Sequence, residues 1–237
     1  MIPLTTLALR SPLLQIFIYS LLTGCTQSVT QPLATDQLQP PAEFPLAYYV
    51  QAKAHGAKIL NIDSRHSLIT IIVHRGGVLA RLGHDHVVAS HDVNGFVDLT
   101  AGRADLYVPL EKLTVDEPKL RASAGFTTQP SQDAIEGTRQ NMLVKVLESS
   151  SFPHALISVK RADSDAAKLI VTIILHDTLK VFEVPTKTTN TTDGITIEGQ
   201  LSFNQSDFGM TPFSILGGAL KVEDRLDLNY NIIADSK

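Results

Sequence analysis

The 237-residue sequence predicts an all-β domain: about eight antiparallel strands, folded as a closed barrel or a sandwich, with a short helical insertion. Two observations lead to this prediction. From residue 69 onward, several segments alternate apolar and polar residues with the period of two that is typical of a strand with one wet face. The alternation is interrupted once, over residues 131–148, where the apolar spacing becomes helical. A closed barrel is favoured because closure removes exposed strand edges.

The strands follow from the alternating segments. The clearest run covers residues 195–204, where apolar side chains hold the odd positions, and residues 226–232 repeat it. Less regular alternating runs cover residues 104–110, 155–159 and 171–175. Residues 69–73 are apolar on both faces, which indicates a strand that is covered on its outside as well. Because these residue types favour turns, we place turns between strands at Asn94-Gly95, Asp193-Gly194 and Gly217-Gly218.

The helical insertion lies between two of these strands. Its apolar residues share one helical face and are Ile135, Met142, Leu143, Val146 and Leu147. Gly137-Thr138 is expected to split the segment into a short turn and a longer helix capped by Thr138. Phe152-Pro153 then returns the chain to a strand.

The N-terminal segment has the features of a leader. Residues 1–24 carry one charge, Arg10, and an apolar run between residues 13 and 22. That run is shorter than the roughly 20 residues that a bilayer-spanning helix needs. It ends at Leu22-Thr23-Gly24-Cys25, which resembles the bacterial lipobox, a site where the leader is cut and the cysteine acylated. Residues 1–24 are therefore predicted to be a lipoprotein signal peptide, with a plain secreted protein as the alternative.

Cys25 is the only cysteine in the chain and is the predicted lipid-attachment residue. Acylation would anchor the chain to a membrane without making it span one. Residues 25–49 contain Pro32, Pro40, Pro41 and Pro45 with little apolar periodicity, and are predicted to form a tether. The barrel domain is expected over residues 50–237. The expected location is the bacterial cell envelope, facing the periplasm, with the outer membrane favoured over the inner one.

Three segments resemble YceI-like domains, the lipocalin-like polyisoprenoid-binding family. They read IDSRHS at 62–67, QNMLVKVL at 140–147 leading to FPH at 152–154, and FNQSDFGM through GGALKVED within 203–224. The resemblance extends over about residues 58–234 and keeps the family order. Two features depart from the pattern: residues 81–86 are richer in histidine, and His176-Asp177-Thr178 replaces a glycine-containing turn.

The resemblance implies a lipocalin-like eight-stranded barrel that binds or carries a polyisoprenoid or other long-chain lipid. The candidate cavity lining is the set of inward residues Ile195, Ile197, Leu201, Phe203, Leu226, Leu228, Tyr230 and Ile232. Gly199 is expected to leave space or a bend in this wall. The same residues would also fill a solid barrel core, so an assembly or stress-response factor with a packed interior stays open as an alternative.

His84 and His86 are candidates for contact with a ligand headgroup or a metal. They lie two residues apart, so on a strand both rings would project from one face. Neutral imidazoles are common transition-metal ligands, but a third ligand would have to come from elsewhere in the fold. A periplasmic metal-binding protein that uses this strand is the alternative function, and a structural role in hydrogen bonds at the barrel mouth stays open.

Other functional classes find little support in the sequence. The 20 basic and 24 acidic residues give a net charge of −4, which argues against nucleic acid as a partner. The mature domain lacks a nucleophilic cysteine, a Gly-x-Ser-x-Gly elbow and a phosphate loop. We therefore expect no enzymatic activity and no cofactor apart from the lipid ligand. The oligomeric state is not predicted.

Overall fold

Antiparallel strands make up most of the domain. A computed structural model describes residues 39–162, 165 and 167–236, so the predicted leader, Cys25 and the predicted tether up to residue 38 lie outside it. Within the described residues there are twelve strands: β1 (Ile59–Ile62), β2 (Leu68–Gly76), β3 (His86–Ser90), β4 (Asn94–Asp98), β5 (Arg103–Pro109), β6 (Thr114–Val115), β7 (His154–Arg161), β8 (Lys168–Leu175), β9 (Thr178–Asn190), β10 (Gly194–Asn204), β11 (Ser214–Ile215) and β12 (Leu220–Asp235).

Eight of these strands close into an antiparallel barrel, which confirms the predicted fold class. Their order around the ring is β1, β4, β5, β7, β8, β9, β10 and β12. The ring closes where β12 pairs with β1, with Ile62 opposite Ala234. The remaining length of the same edge of β12 pairs with β2, and β2 continues the sheet through β3 to β6. Beside β12, the barrel wall is therefore formed by β1 at one end of the barrel and by β2 and β3 at the other end.

Strand register decides which loops share an end of the barrel. Residues 61 and 62 lie opposite the last residues of β12, whereas Gly76 lies opposite Lys221 near the start of β12. The loop after β2 and the segment before β12 therefore meet at one end, which we call the mouth end. Lys58 and the start of β1 lie at the opposite end.

One predicted turn is absent from the structure, and another, which departs from the family pattern, is present. Asn94-Gly95 is not a turn but the beginning of β4, so that prediction is wrong. Gly95 is needed there because a Cβ atom would overlap the backbone of Asp105 on β5. His176 and Asp177 form the two-residue β8–β9 connection, and both have φ of 53°. A two-residue type I′ hairpin turn requires a left-handed conformation at both residues. His176 and Asp177 adopt it here, where the family pattern has a turn that contains glycine.

Three α-helices lie in the described part of the chain: α1 (Leu46–Ala54), α2 (Pro118–Ser123) and α3 (Gln132–Asn141). A π-helical turn at Met142–Val146 continues α3. The hydroxyl of Ser131 accepts a hydrogen bond from the Ala134 N–H at 3.3 Å and caps α3. The predicted split at Gly137 and cap at Thr138 are therefore wrong, because one interior glycine costs a helix only about 1 kcal/mol.

The described helices include none with both the length and the apolarity needed to cross a bilayer.

Helix α1 packs on the outside of the barrel. The ring centroid of Tyr49 lies 5.1 Å from that of Phe96 on β4, and Phe44 lies 6.1 Å from the same ring. The Tyr49 hydroxyl donates a hydrogen bond to Asp105 at 2.6 Å, and burial raises the pKa of Tyr49. The expected boundary between tether and barrel at residues 49 and 50 therefore falls inside α1. Phe44 and Tyr49 bury their rings against the barrel, and this packing holds the segment in place in spite of the prolines near it.

Replacing Tyr49 with Phe is expected to lower the free energy of unfolding by about 1.5–3 kcal/mol, the usual contribution of a hydrogen bond to a charged group. The ring contacts remain, so the loss reports the hydroxyl alone. Urea unfolding followed by circular dichroism measures it. Tyr48→Phe, which removes a half-buried hydrogen bond to Asp98, should have a smaller effect, and equal losses would contradict the assignment.

Candidate functional site

An apolar cavity of about 270 Å³ opens toward the mouth end of the barrel. Strands from both sides of the barrel line it, and the π-helical turn and the segment before β12 cover it. Representative apolar lining residues are Ile71, Val88, Val108, Ile173, Met210 and Leu226. An apolar cavity of about 150 Å³ is already enough to stay dry and bind a benzene ring. The barrel interior is therefore partly hollow and suited to an apolar ligand.

A second compartment of about 90 Å³ lies deeper in the barrel. Its lining is apolar and includes Ile62 and Val97, near the end where β1 closes the ring. Four side chains line both compartments and are Ile69, Ile157, Ile173 and Leu228. These four residues form the constriction between the two spaces.

The predicted lining residues are divided between the two compartments. Phe203 and Leu226 line the larger one, Leu228 lines both, and the smaller one is lined by Ile197, Leu201, Tyr230 and Ile232. Ile195 lines neither. It is buried in the hydrophobic core and lies opposite Ala234, close to where the ring closes.

The space expected at Gly199 is occupied by an aromatic ring. Gly199 lies opposite Tyr230 in the β10–β12 pair, and a Cβ atom at Gly199 would overlap the Tyr230 ring and hydroxyl. That hydroxyl hydrogen-bonds to the Thr186 hydroxyl at 2.9 Å. Burial raises the pKa of Tyr230. The glycine therefore makes room for a tyrosine that forms part of the cavity wall.

Polar and basic side chains line the larger cavity at the mouth end. The basic ones and the histidines are Arg75, His84, His86 and Lys221, and the neutral polar ones are Ser90, Thr138, Asn141 and Gln205. His86 lies on β3 and faces the cavity with Val88 and Ser90. His84 precedes the strand instead of lying on it, so the expectation of two rings on one strand face is wrong for His84. The two rings nevertheless lie 6.4 Å apart by centroid.

His86 is oriented by a buried ion pair. Its Nδ1 lies 2.6 Å from a carboxylate oxygen of Asp116, whose other oxygen accepts a hydrogen bond from Arg121 at 2.5 Å. The side chains of Asp116 and Arg121 are 0% and 2% exposed. Because an ionised carboxylate only accepts hydrogen bonds, Nδ1 of His86 carries the proton. Nε2 is then the ring atom that a ligand in the cavity would meet.

The Asp116 carboxylate is held in its charged form. Burial acts to raise its pKa, but hydrogen bonds from His86, the Val87 N–H and Arg121 together lower the pKa below its usual value. Asp116 also has φ of 57°, a left-handed conformation that Asp and Asn tolerate better than most residues. Arg121 donates further hydrogen bonds to the carbonyls of Asp85 and Thr128.

Sequence reasoning did not find Asp116 or Arg121. They lie five residues apart around Pro118, in a segment without periodicity. Charged residues in such a segment are usually solvated, and no pattern in the sequence distinguishes a buried pair from an exposed one. The first turn of α2 brings the two side chains together, and the packing of α2 against β3 buries them.

The metal-binding alternative requires at least three ligands placed together. Over residues 39–162, 165 and 167–236, no three His, Cys, Asp or Glu side chains are placed to hold a metal ion.

The similarity of this chain to known proteins is seen in structure and not in sequence. No family model and no curated protein matches the chain. A polyisoprenoid binding domain from Saccharophagus degradans, implicated in plant cell wall breakdown, superposes with a TM-score of 0.54 at 12% identity, covering 75% of this chain and 98% of that one. BcnA of Burkholderia cenocepacia superposes with a TM-score of 0.53 at 11% identity, covering 73% and 98%. The YceI-like fold is confirmed, and at these identities the similarity shows the fold alone.

Proposed function

We propose that this protein binds or carries a polyisoprenoid or other long-chain lipid inside its barrel, as a binding protein and not as an enzyme. The observation that supports the proposal most is the pair of apolar compartments along the barrel interior. A folded core packed to ordinary density leaves few voids larger than a water molecule. A cavity of about 270 Å³ with basic groups at one end is instead typical of a site for an apolar chain with a polar head.

Burial alone would supply the affinity for such a chain. Each methylene removed from water contributes about 0.8 kcal/mol, so an apolar tail needs no specific hydrogen bonds. In this proposal the tail enters the larger compartment first. Small movements of Ile157 and Leu228, which line both compartments, would extend the space into the smaller one.

The head of the lipid would lie near His84 and His86. With Nδ1 of His86 occupied by Asp116, Nε2 can accept a hydrogen bond from a hydroxyl, or donate one to a carbonyl or phosphate when the ring is protonated. Arg75 and Lys221 line the same end of the cavity and would favour a head with negative or partially negative oxygens. The polyisoprenoid binding domain of the similar fold supports this ligand class.

Direct binding of a defined lipid tests the proposal. The full chain, stripped of lipid with organic solvent and refolded, is mixed with a prenyl quinone, and unbound quinone is removed by gel filtration. Retention of about one quinone per chain is expected, as one continuous cavity would hold one tail. A chain that elutes folded and without quinone would exclude this ligand class.

We further propose that the barrel works on the periplasmic side of a bacterial membrane, held there through an acylated Cys25. The lipobox-like sequence supports this arrangement. The chain between Cys25 and the first described residue would act as a spacer between the membrane and the barrel.

Substituting Cys25 with Ala is expected to abolish incorporation of a radioactive fatty acid. The reason is that this residue is the only thiol in the chain that could be acylated. The labelled protein is detected after immunoprecipitation from growing cells. Ser28→Ala, a nearby change that leaves the cysteine in place, should incorporate label like the parent, and label on the Cys25→Ala chain would contradict the anchor.

A further inference from the structure

The loops around the cavity mouth expose apolar side chains to solvent. Val78 and Leu82 lie in the loop between β2 and β3, and Ile215 and Leu216 lie in the segment before β12. Leu82 is 65% exposed and Leu216 is 70% exposed. Large apolar residues exposed together, unlike isolated ones, mark interaction surfaces.

The two loops form one continuous surface. The Leu79 N–H donates a hydrogen bond to the Ala219 carbonyl at 2.8 Å, and Gly77 approaches the backbone of Ala219 so closely that a side chain would not fit. We call Val78, Leu82, Ile215 and Leu216 the mouth patch. Leu216 has φ of 53°, a left-handed conformation that is unusual for leucine, and its side chain lies outside the core.

Basic side chains surround the mouth patch. Arg75, Arg81 and Lys221 are exposed in or beside the two loops. On the adjoining π-helical turn, Lys145 lies 5.3 Å from the ring of Phe213 in the segment before β12. Three acidic residues lie nearby: Asp85, which pairs with Arg75, Glu223 beside Gly76, and Asp224 on β12, which accepts hydrogen bonds from Ser206. The four basic residues outnumber these three acidic ones, although the chain as a whole carries a net charge of −4.

We propose that the mouth patch is a membrane-docking surface, on which the barrel rests its open end against an anionic bilayer to take up or release the lipid. This inference rests on the proposed lipid cavity. Exposed apolar residues inside a ring of basic ones match the acyl boundary and the negative headgroups of a bilayer. Gly83, His84, Phe213 and Lys221 line the cavity and adjoin the patch, so a docked lipid would pass from bilayer to cavity without crossing water.

A single tryptophan placed in the patch would report the docking. The chain contains no Trp, so Leu82→Trp gives one indole at the mouth. Val181→Trp is the matched control, because Val181 is an apolar residue that is 59% exposed on the outer face of β9. Both substitutions are made in the full chain carrying Cys25→Ala, so that no acyl anchor contributes.

Vesicles of phosphatidylethanolamine and phosphatidylglycerol are added, with a portion of the lipid brominated along its chains. The Leu82→Trp emission is expected to shift to the blue and to be quenched, while the Val181→Trp emission stays unchanged. Equal responses from both reporters, or no response from Leu82→Trp, would overturn the proposal.

Charge reversal tests the basic ring independently of any introduced tryptophan. Arg81→Glu combined with Lys221→Glu is expected to weaken binding to phosphatidylglycerol vesicles in a sedimentation assay by about tenfold or more, since each basic residue near an anionic surface adds to the attraction. Lys53→Glu with Lys58→Glu changes the net charge equally at the opposite end and should leave binding unchanged. Equal weakening by both pairs would overturn the proposal.

Lipid content, measured by mass spectrometry on the same preparations, separates this inference from the proposed function. Lipid in the barrel with an unresponsive Leu82→Trp reporter would overturn the docking surface alone. A quenched Leu82→Trp reporter on a barrel that neither contains nor takes up lipid would support bilayer docking and overturn the lipid cavity.

Discussion

Replacing Asp116 with Asn is expected to lower the free energy of unfolding by about 3–5 kcal/mol, the usual result of breaking a buried ion pair by removing one partner. The guanidinium of Arg121 would remain buried without a compensating charge. Asn is nearly the same size and also tolerates the left-handed backbone at this position. The loss of unfolding free energy therefore reports the removal of the carboxylate charge and not a change in the shape of the side chain.

Asp177→Asn is the matched control for this substitution. Asp177 has φ of 53°, close to the 57° of Asp116, but it is exposed in the β8–β9 turn. The control should change stability by less than about 0.5 kcal/mol, as surface substitutions usually do. Guanidinium unfolding followed by circular dichroism compares both variants with the parent, and similar losses for the two would refute the ion-pair explanation.

The same pair gives the stability a defined pH dependence. Because the pKa of Asp116 is lowered in the folded protein, its contribution is fully present above the ordinary carboxyl pKa of about 3.9. That contribution is lost as the pH falls through the lowered value. The parent should therefore lose more stability than Asp116→Asn between about pH 4 and pH 2. Parallel curves for the two chains over this range would show that Asp116 is not ionised in the fold.

Substituting Ile157 with Trp is expected to weaken lipid binding strongly. Ile157 lines both compartments, so an indole there would occupy the constriction between them. Excluding two or three methylenes of a bound tail removes about 1.6–2.4 kcal/mol of burial. That loss corresponds to roughly 15- to 60-fold in affinity. Lipid retained per folded chain after gel filtration measures it.

Leu156→Trp provides the control on the same strand. Successive side chains of a strand point to opposite faces, so Leu156 lies outside the barrel wall that Ile157 lines from within. The control should retain lipid like the parent. If Ile157→Trp unfolds, Ile157→Phe offers a smaller obstruction, and undiminished lipid in a folded chain with either ring would contradict the cavity as the binding site.

The strands were predictable because a period of two appears directly in the residues. The segments 195–204 and 226–232 correspond to β10 and β12, and β10 pairs along its whole length with residues 225–235 of β12. Helix α1 was not predicted, because it is short, prolines precede it, and the hydrogen-bond partners of its two tyrosines lie 50 and 56 positions away. The turn expected at Asn94-Gly95 failed for a related reason: the glycine serves a close approach to Asp105 that local sequence does not show.

The candidate site was only partly predictable. Inward-facing residues of two strands follow from alternation, and the histidines near residue 84 attract attention by composition. Whether those residues surround a space or fill it depends on packing from all sides of the barrel, which no single segment determines. Asp116 and Arg121 were missed because a buried pair and a solvated pair look the same in a sequence.

Mass spectrometry of the chain purified without added lipid tests the central claim most directly. The protein is extracted with organic solvent, and its lipids are compared with those of an equal amount of the Ile157→Trp chain. We expect a long-chain, predominantly apolar lipid at about one molecule per parent chain, strongly reduced in the variant. A folded parent chain with no more lipid than the Ile157→Trp chain would contradict a lipid-binding barrel.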